Sequence, residues 1–509
     1  MTWHGAYLAS SEAISNGSSH QLRTEMRHSA RTRNWFKRGQ PCSCSINLMS
    51  TAEAPPPSAA APAAALPNPT ELLKSRSYLA LLFLGALIGV PVAAIAYFFL
   101  VGVGKAQTYV FATLPKEFGF SSQPQWWPFI PLFISGVLVA LSIQYLPGTS
   151  GHEPAEGFKA GGLVQPSELP GIIIASFATL ALGVVLGPEA PLIAIGSGLG
   201  VLAVHLLKKD APQMASVVIG AAGSFAAIST LLGSPLVGAF LLMEASGIGG
   251  PLLGIVLVPG LLAAGIGSLI FVGLDHWTGL TAPTLSISNI PHVGAPSLVL
   301  FLWAIAIGLI CAVVGSGIRR IALWLQAVVT PRRLLLTPVV GLGVGVLVLI
   351  FTEVTGKSGS FVLFSGQTQL PTLIHEAGSW AVGSVILLIA CKAIAYGLSL
   401  SSFRGGPIFP ALFVGSAIGI ALSHVGGLPL ITGVGLGIGG MSVAMLGLPL
   451  VSVLLPALFL AQDAVDLLPL IIVAVVVSYV ASAHVAPKLP TETSPSAGSG
   501  APAPGPAGS

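Results

Sequence analysis

An isolated carboxylate, Glu189, stands at the start of an apolar stretch that has the composition of a membrane helix. It belongs to residues 187–191 (G-P-E-A-P), and no Asp, Glu, Lys or Arg follows it before Lys208. A carboxylate is costly to bury in a bilayer, so such a residue marks function by default. The partial positive charge at a helix N-terminus also favours the anionic form of this side chain. The sequence therefore predicts a functional acid at the beginning of a broken membrane helix.

Two further segments offer related chemistry. Residues 405–410 (G-G-P-I-F-P) open a second apolar stretch, and residues 149–154 (T-S-G-H-E-P) follow an earlier one. Unpaired backbone N–H groups at such helix starts attract anions without a full cationic side chain in the membrane. Together the three segments predict an anion site that is built from helix ends.

The elements that would position these segments occur twice. Pro191 begins P-L-I-A-I-G-S-G-L-G and Pro410 begins P-A-L-F-V-G-S-A-I-G, at an offset of 410 − 191 = 219. Gly233 begins G-S-P-L-V and Gly447 begins G-L-P-L-V, at an offset of 447 − 233 = 214. Chance similarity is the alternative for either match alone, but two matches in the same order indicate a duplicated half. Duplicated halves with helices broken by Gly and Pro are typical of transporters and channels with a mid-membrane site.

The composition excludes a water-soluble protein, because 53% of the 509 residues are hydrophobic and only 7% are charged. Soluble domains carry about 25% charged residues. The uncharged stretch between Arg76 and Lys105 is long enough for a helix of about 20 residues to cross a bilayer. Residues 405–462 are also uncharged, and that length must hold several short or broken helices. The predicted fold class is therefore an all-α polytopic protein of the lipid bilayer.

The chain divides into two tails and one membrane domain. Residues 1–76 are basic and rich in Pro and Ala, residues 488–509 are rich in Ala, Pro and Gly, and both are expected to be disordered. Residues 77–487 form the predicted transmembrane domain. Eight of the 21 basic residues precede its first span, so the positive-inside bias predicts a cytoplasmic N-terminus. Met49 is a candidate initiator, and a targeting leader is the alternative explanation of residues 1–48.

Apolar segments punctuate this domain, and several are too short to cross a bilayer alone. They are predicted near residues 77–103, 126–146, 170–186, 189–207, 214–231, 235–246, 251–274, 297–317, 334–352, 379–400, 408–424, 429–446, 449–462 and 467–486.

Residues 149–154, 187–191 and 405–410, in this order, resemble the signature segments of the CLC family of chloride channels and chloride/proton exchangers. The S-P-L-V-G-A-F-L-L-M-E stretch that ends at Glu244 fits the same pattern, and the resemblance covers residues 78–487. It implies a homodimer in the cell (plasma or inner) membrane with one pore per subunit. Each subunit would hold two inverted repeats of short, broken and tilted helices, about 78–275 and about 297–487.

The resemblance also assigns roles to individual residues. Glu189 would be the gating glutamate, which competes with anions for a site and leaves it when protonated. His152 would lie near the entrance, because Pro154 comes one place later than in the family pattern. The residues implied to bind the anion are Ser150, Gly151, Gly187, Glu189, Ala190, Gly406, Ile408 and Phe409.

Several positions depart from the family pattern. Pro188 replaces a basic residue beside the gate, which weakens anion attraction there. Pro407 lacks the N–H that its counterpart could offer. No tyrosine stands near Pro490, where a pore tyrosine is often found, and Tyr479 is interpreted as a packing residue.

The choice between channel and exchanger depends on Glu244 and its neighbour. Exchangers of the family commonly carry a second glutamate at the position of Ala245, so the proton relay is expected to be absent. Glu244 is a candidate substitute for the relay, and a structural role on nearby backbone amides is the alternative. Uncoupled transport of chloride or a similar anion is therefore favoured over chloride/proton antiport.

Two rival functions are weaker. A secondary transporter for a small organic anion needs more polar recognition groups than this sequence provides. A membrane enzyme would need a metal site, and the available side chains match no ligand spacing: Glu153, Glu189, Glu244, Asp463, Asp466 and His152. The four cysteines are too scattered for a metal or disulfide framework: Cys42, Cys44, Cys311 and Cys391. No cofactor, metal, nucleic-acid partner or enzymatic activity is expected.

Overall fold

The computed structural model of the chain describes residues 74–487, apart from gaps at 161, 209, 230, 233, 248–250, 281–295 and 461–463. Within these residues the chain is helical, and the one β-type pairing is an isolated bridge between Gly187 and Gly406. The all-α prediction is confirmed. Predictions about Met49, Gly233, Asp463, Pro490 and most of both tails lie outside the described residues.

The first half of the membrane domain carries eight α-helices in its described residues. A π-helical turn, Tyr109–Thr113, joins the first two helices, and short 3₁₀ turns at Pro154–Glu156 and Pro166–Glu168 interrupt the loop before the fourth. The helices are α1 Arg76–Thr108, α2 Leu114–Glu117, α3 Phe129–Tyr145, α4 Leu169–Ala181, α5 Glu189–Leu207, α6 Gln213–Ile228, α7 Pro235–Ser246 and α8 Pro251–Thr278.

The second half also carries eight in the described ranges, with 3₁₀ turns at Thr330–Arg332, Gly359–Phe361 and Ala377–Ser379. The helices are α9 Leu298–Val329, α10 Arg333–Thr355, α11 Gln369–His375, α12 Val382–Ser402, α13 Ile408–Ser423, α14 Leu430–Leu446, α15 Pro449–Leu460 and α16 Ala464–Val485. Each of the fourteen predicted apolar segments overlaps one of these helices.

Six stretches of the described chain are long and apolar enough to cross a membrane. They are Arg76–Glu117, Glu189–Leu207, Leu253–Thr278, Leu298–Thr355, Val382–Ser402 and Asp466–Val485. The remaining apolar helices are shorter, such as α13 with 16 residues and α15 with 12. A helix of 12 residues rises only about 18 Å, so it ends inside the bilayer and must pack against its neighbours.

The packing of the helices repeats between the halves. Helix α5 packs on α6 as α13 packs on α14, and α1 packs on α8 as α9 packs on α16. Two equivalent pairs contact each other across the halves, α3 with α10 and α7 with α15. Equivalent elements that meet in this way lie near the pseudo-two-fold axis of a duplicated fold. The core cluster runs through both halves and joins them into one body.

Glycines set the crossing of α5 on α6 and of α13 on α14. A Cβ at Gly196 would lie 2.7 Å from the carbonyl carbon of Gly223, and one at Gly415 would lie 2.6 Å from that of Gly437. The equivalent glycines are related by 415 − 196 = 219 and 437 − 223 = 214, the same two offsets that the sequence motifs show. Small residues allow membrane helices to approach closely, which explains why the motif recurs.

The structure corrects two helix boundaries. Helix α4 ends at Ala181 rather than near 186, because Gly183 adopts φ +97° and turns the chain out of the helix. Helix α9 continues to Val329 rather than 317, through Arg319 and Arg320. Arg320 donates to the Val485 carbonyl at the end of α16, at 2.7 Å, so its charge is accommodated.

Tyr479 does not pack in the core of this chain. Its side chain is 46% exposed on α16, away from the core. An aromatic side chain on the outer face of a membrane helix meets apolar surroundings there, so it gains little by turning inward.

Candidate functional site

The starts of α5 and α13 meet back to back at the centre of the fold. The Gly187 N–H donates to the Gly406 carbonyl at 2.8 Å, and the Gly406 N–H donates to the Gly187 carbonyl at 2.6 Å. The residues that precede the helices, Pro188 and Pro407, have nearly equal backbone angles (φ −85°, ψ −7° and φ −91°, ψ −8°). The structure thus brings together the two motifs that the sequence singled out.

The Glu189 side chain is fully buried at this junction, with 0% exposure. Its Oε1 accepts a hydrogen bond from the N–H of Ile408, the first residue of α13. Ile408 is the equivalent of Glu189 in the other half (408 − 189 = 219). The N–H groups of Glu189 and Phe409 also face the carboxylate. The acid of one half therefore sits at the positive helix end of the other.

The second oxygen of Glu189 is uncommitted. Oε2 is buried and has no hydrogen-bond partner among the described residues. Glycines make room for the carboxylate, because a Cβ at Gly187 would lie 2.9 Å from its Cδ and a Cβ at Gly406 would overlap it. A buried oxygen without a partner carries a desolvation cost, so this position of the side chain depends on the backbone N–H groups that face the carboxylate and on packing.

One cavity, of about 460 Å³, lies beside this junction and is here called the Ser150 cavity. Its walls come from the loop after α3, the first turns of α5 and the loop before α13. They include Ser150, Gly151, His152, Ala190, Pro191, Arg404 and Gly405.

A second cavity, of about 910 Å³, is here called the Lys105 cavity after its one charged wall residue among those described. A narrow pocket against Pro188 shares Gln107 with it and so reaches toward the junction. Glu189 lies between Pro188, which faces this pocket, and Ala190, which faces the Ser150 cavity. Glu189 itself lines neither the Ser150 cavity nor the Lys105 cavity, and its carboxylate is buried.

Ser150 adopts φ +54°, a left-handed conformation that is uncommon outside glycine. Its side chain is 1% exposed, and its Oγ has no hydrogen-bond partner in the described structure. A buried hydroxyl normally finds a partner, so an unpaired one on a cavity wall is available to a ligand. Gly151, with φ +98°, continues the turn.

His152 lines the same cavity, and one of its ring nitrogens lies 2.9 Å from the Gly157 carbonyl oxygen. Burial lowers the pKa of His152 below its usual value, so the ring is neutral near pH 7. His152 therefore adds a polar group to the wall of the cavity but no fixed charge.

Sequence reasoning missed Arg404, the most buried cation on the Ser150 cavity, which is 4% exposed. Its Nε donates to the Thr149 carbonyl at 3.0 Å, and its Nη2 lies 3.3 Å from Glu153 Oε1. Glu153 also accepts hydrogen bonds from Arg333 and Gln326. A signal was present, because Arg404 is the lone charged residue between Lys392 and Asp463 in the sequence.

Helix α12 holds both flanks of the junction with two other residues that the sequence analysis did not use. The Lys392 Nζ, with 0% exposure, donates to the carbonyls of Val362, Leu363 and Phe364 at 3.0, 2.8 and 2.9 Å. The Tyr396 hydroxyl donates to the Pro407 carbonyl at 2.6 Å. Their spacing of four residues places both side chains on one face of α12, which was the available signal.

Glu244 lies away from this junction. Its Oε1 accepts from the Leu450 N–H at 2.9 Å and its Oε2 from the Val451 N–H at 2.8 Å, at the start of α15. It lines neither the Ser150 nor the Lys105 cavity. These bonds match the structural alternative for Glu244. No group of three or more potential metal ligands occurs among the described residues.

Comparisons with known proteins agree with this architecture. A family model described as "Voltage gated chloride channel" matches residues 136–483. The putative ion-transport protein YfeO of Salmonella schwarzengrund (strain CVM19633) is 30% identical over 386 residues, which cover 74% of this chain and 87% of that protein. YfeO of Salmonella paratyphi A (strain ATCC 9150 / SARB42) is 31% identical over 356 residues, or 68% and 79%.

Two solved structures share the fold at low sequence identity. A CLC-type fluoride/proton antiporter is 20% identical with a TM-score of 0.60, covering 80% of this chain and 96% of that one. A slow cyanobacterial Cl⁻/H⁺ antiporter is 20% identical with a TM-score of 0.61, covering 79% and 94%.

Proposed function

This chain belongs to the voltage-gated chloride channel family, and we propose that it moves chloride or a similar small inorganic anion across a membrane, with Glu189 as the gate. It is a multi-pass membrane protein with an anion-transporter fold, and the proposal describes a transporter rather than an enzyme. One observation carries it. The Glu189 carboxylate accepts the N–H at the start of α13 between two cavities, one of which carries the unpaired hydroxyl of Ser150.

In the proposed pathway the anion takes the place of a carboxylate oxygen. When Glu189 is ionised, its Oε1 occupies the N–H of Ile408, a donor of the kind that binds free anions at helix ends. Protonation removes the charge that holds the side chain there, and the carboxyl group leaves. The anion then passes from Ser150 and Gly151 to the amides of Ile408 and Phe409. Gly187 and Gly406 keep the two helix starts close enough to share it.

Uncoupled transport is the form we propose. Ala245 offers no proton, and both oxygens of the neighbouring Glu244 accept backbone N–H bonds at the start of α15. A carboxylate with both oxygens bonded to backbone donors at a helix start suits a structural cap better than a mobile proton carrier. Proton antiport is the second candidate, because both structural neighbours named above are described as proton antiporters.

The test is anion flux from vesicles reconstituted with the purified protein, with chloride, fluoride, nitrate and sulfate compared and proton movement recorded in parallel. We expect chloride flux without uphill proton movement. Chloride-driven proton uptake would favour antiport instead. Flux confined to fluoride would identify fluoride, rather than chloride, as the transported anion.

Glu244→Gln separates the two modes. As a structural cap, Glu244 should affect yield or thermal stability by about 1 kcal/mol, the usual effect of losing a helix cap, and should spare anion flux. Proton uptake that disappears in this variant while chloride flux persists would contradict the uncoupled proposal. Circular dichroism melting and the paired flux recordings measure both quantities on one preparation.

We also propose a homodimer with one pathway per subunit, repeats at about 78–275 and about 297–487, and a cytoplasmic N-terminus in the cell membrane. The repeated helix packing supports the repeat boundaries. Large apolar side chains on α8 and α16 support a protein or lipid contact there, for example Leu269 at 73% and Val480 at 52% exposure. Mass measurement in mild detergent that finds only monomers would contradict the dimer.

A further inference from the structure

We propose that Arg404 sets the electrostatic potential of the Ser150 cavity and thereby determines how tightly this protein binds its anion. The inference rests on the proposed anion transport. Arg404 is not among the anion-binding residues that the CLC resemblance implies. Arg404 lies on the wall of the cavity, next to Gly405 and one loop away from Ser150.

Within the hydrogen-bonded cluster of Arg404, Arg333 and Glu153 the charges do not cancel. Arg404 and Arg333 both contact Oε1 of Glu153, while Gln326 donates to its Oε2. Two guanidinium groups with one carboxylate leave a net charge of about +1. Because Arg404 is 4% exposed, solvent screens its charge little, so its field acts into the cavity more strongly than that of a surface cation.

The other charged residues on this cavity are Lys159 and Glu168. The Lys159 side chain is 48% exposed and lies 3.6 Å from Glu156. The His152 ring is neutral near pH 7, since burial lowers its pKa. Glu168 is only partly buried. Arg404 is therefore the dominant fixed charge at the inner wall, close to the junction with Glu189.

An independent observation points to a ligand at the same place. The Ser150 Oγ is 1% exposed, lines this cavity and has no partner in the described structure. The Nε of Arg404 donates at 3.0 Å to the carbonyl of Thr149, the residue before Ser150. A cation and an unpaired hydroxyl thus lie on adjoining parts of one wall, which is the arrangement that a small anion needs.

The other half lacks this charge. Val185 is the equivalent of Arg404 (404 − 185 = 219) and is fully buried. Among the described residues that line the Lys105 cavity, the charged one is Lys105, and it is exposed. Among the described residues that line the two cavities, the buried cation is therefore Arg404, on the Ser150 side.

Opposite changes of charge test the inference. Arg404→Gln should raise the half-saturating chloride concentration on the order of tenfold, and Glu153→Gln should lower it, because the glutamine removes the counter-charge and keeps an amide for hydrogen bonds. Arg404→Lys keeps the charge but lacks the planar guanidinium group. Its half-saturating chloride concentration should therefore stay near that of the unmutated protein. Arg320→Gln, which removes a cation that bonds Val485 instead, should change nothing.

The readout is flux from reconstituted vesicles against chloride concentration, with size-exclusion profiles as the check on folding. If Arg404→Gln and Glu153→Gln shift the half-saturating concentration in the same direction, Arg404 only positions the Thr149 loop and the inference is overturned. An unchanged value in Arg404→Gln overturns it as well. If Arg404→Gln does not fold, the other two variants still test the inference. Glu153→Gln should lower the half-saturating chloride concentration and Arg404→Lys should leave it nearly unchanged, and a rise in Glu153→Gln overturns the inference. A total lack of anion flux in the unmutated protein would refute the proposed function itself.

Discussion

The helix starts at Glu189 and at Ile408 share one backbone design and differ in their side chains. Each is preceded by a proline in nearly the same conformation, and the loops exchange reciprocal bonds. The Val185 N–H donates to the Ser399 hydroxyl at 3.2 Å, and the Arg404 N–H donates to the Thr179 hydroxyl at 3.3 Å.

The differences lie at functional positions. One start carries the acid Glu189 and the apolar Val185, and the other carries the apolar Ile408 and the cation Arg404. The shared backbone supplies N–H donors from both halves, because each repeat places the same helix start at the junction. In the proposed pathway the unequal side chains supply a gate, Glu189, and a charged end, Arg404. Duplication therefore builds the site, and divergence within it sets what the site does.

The largest predicted effect breaks the shared backbone design. In Gly415→Ala the new Cβ would lie 2.6 Å from the carbonyl carbon of Gly437, so α13 and α14 must separate. Overpacking of this kind costs about 1–3 kcal/mol or more, and the loss of folded protein should be severe. Gly196→Ala, which meets Gly223 in the same way, should behave alike. The measurement is the monodisperse yield in detergent together with the melting temperature.

Gly317→Ala is the matched control. Gly317 lies within α9, and a Cβ there would meet nothing within 4 Å, so this variant should fold normally or gain slightly from helix propensity. A normal yield for Gly415→Ala would show that the crossing tolerates separation. Unequal losses for Gly415→Ala and Gly196→Ala would show that the halves contribute unequally to folding.

The fold was largely predictable because its signals are local. All fourteen apolar segments overlap helices, and both sequence offsets between the repeated motifs reappear as glycine contacts between helices. The boundary errors have local causes as well. Gly183 ends α4 early through a positive φ, and α9 runs past two arginines because the end of another helix accepts one of them. Hydropathy alone registers neither a backbone angle nor a distant carbonyl.

The second prediction removes the difference in charge at the gate. Glu189→Gln keeps the shape of the side chain but cannot ionise, so it no longer competes as an anion for the Ile408 N–H. Acid should increase flux in the unmutated protein, because protonation frees the site. In the variant, flux should be high and independent of external pH. Flux recorded at several external pH values measures this, with Glu168→Gln as a control on a cavity acid that does not touch the junction. An unchanged pH response in Glu189→Gln would remove the gate assignment.

The site was harder to predict than the fold, because its contacts join distant parts of the chain. The sequence marked Glu189 and the amides of Ile408 and Phe409, since both motifs stand at helix starts. It did not mark Arg404, whose partners are 251 and 255 residues away. No periodicity connects Arg404 with Glu153, and only the folded chain shows that a second cation, Arg333, shares the same carboxylate. Tyr396 was missed for a different reason: its acceptor, the Pro407 carbonyl, is only 11 residues away, but a backbone carbonyl leaves no side-chain signal in the sequence.

The smallest predicted effect concerns that tyrosine. The Pro407 carbonyl accepts the Ala411 N–H at 3.3 Å and the Tyr396 hydroxyl at 2.6 Å. Its equivalent, the Pro188 carbonyl, accepts the Leu192 N–H at 3.0 Å. Tyr396→Phe would therefore leave the two helix starts more alike.

Tyr396→Phe removes a buried donor but leaves an acceptor that already holds a second bond, so the loss of stability should be about 1 kcal/mol. Since the hydroxyl also restrains the first turn of α13, the Ile408 N–H should become less well positioned, and anion flux should fall by no more than a few fold. Melting temperature and flux on the same preparation measure the two effects. If flux is abolished while the melting temperature is unchanged, Tyr396 acts directly on the anion, and the difference between the two helix starts extends to α12.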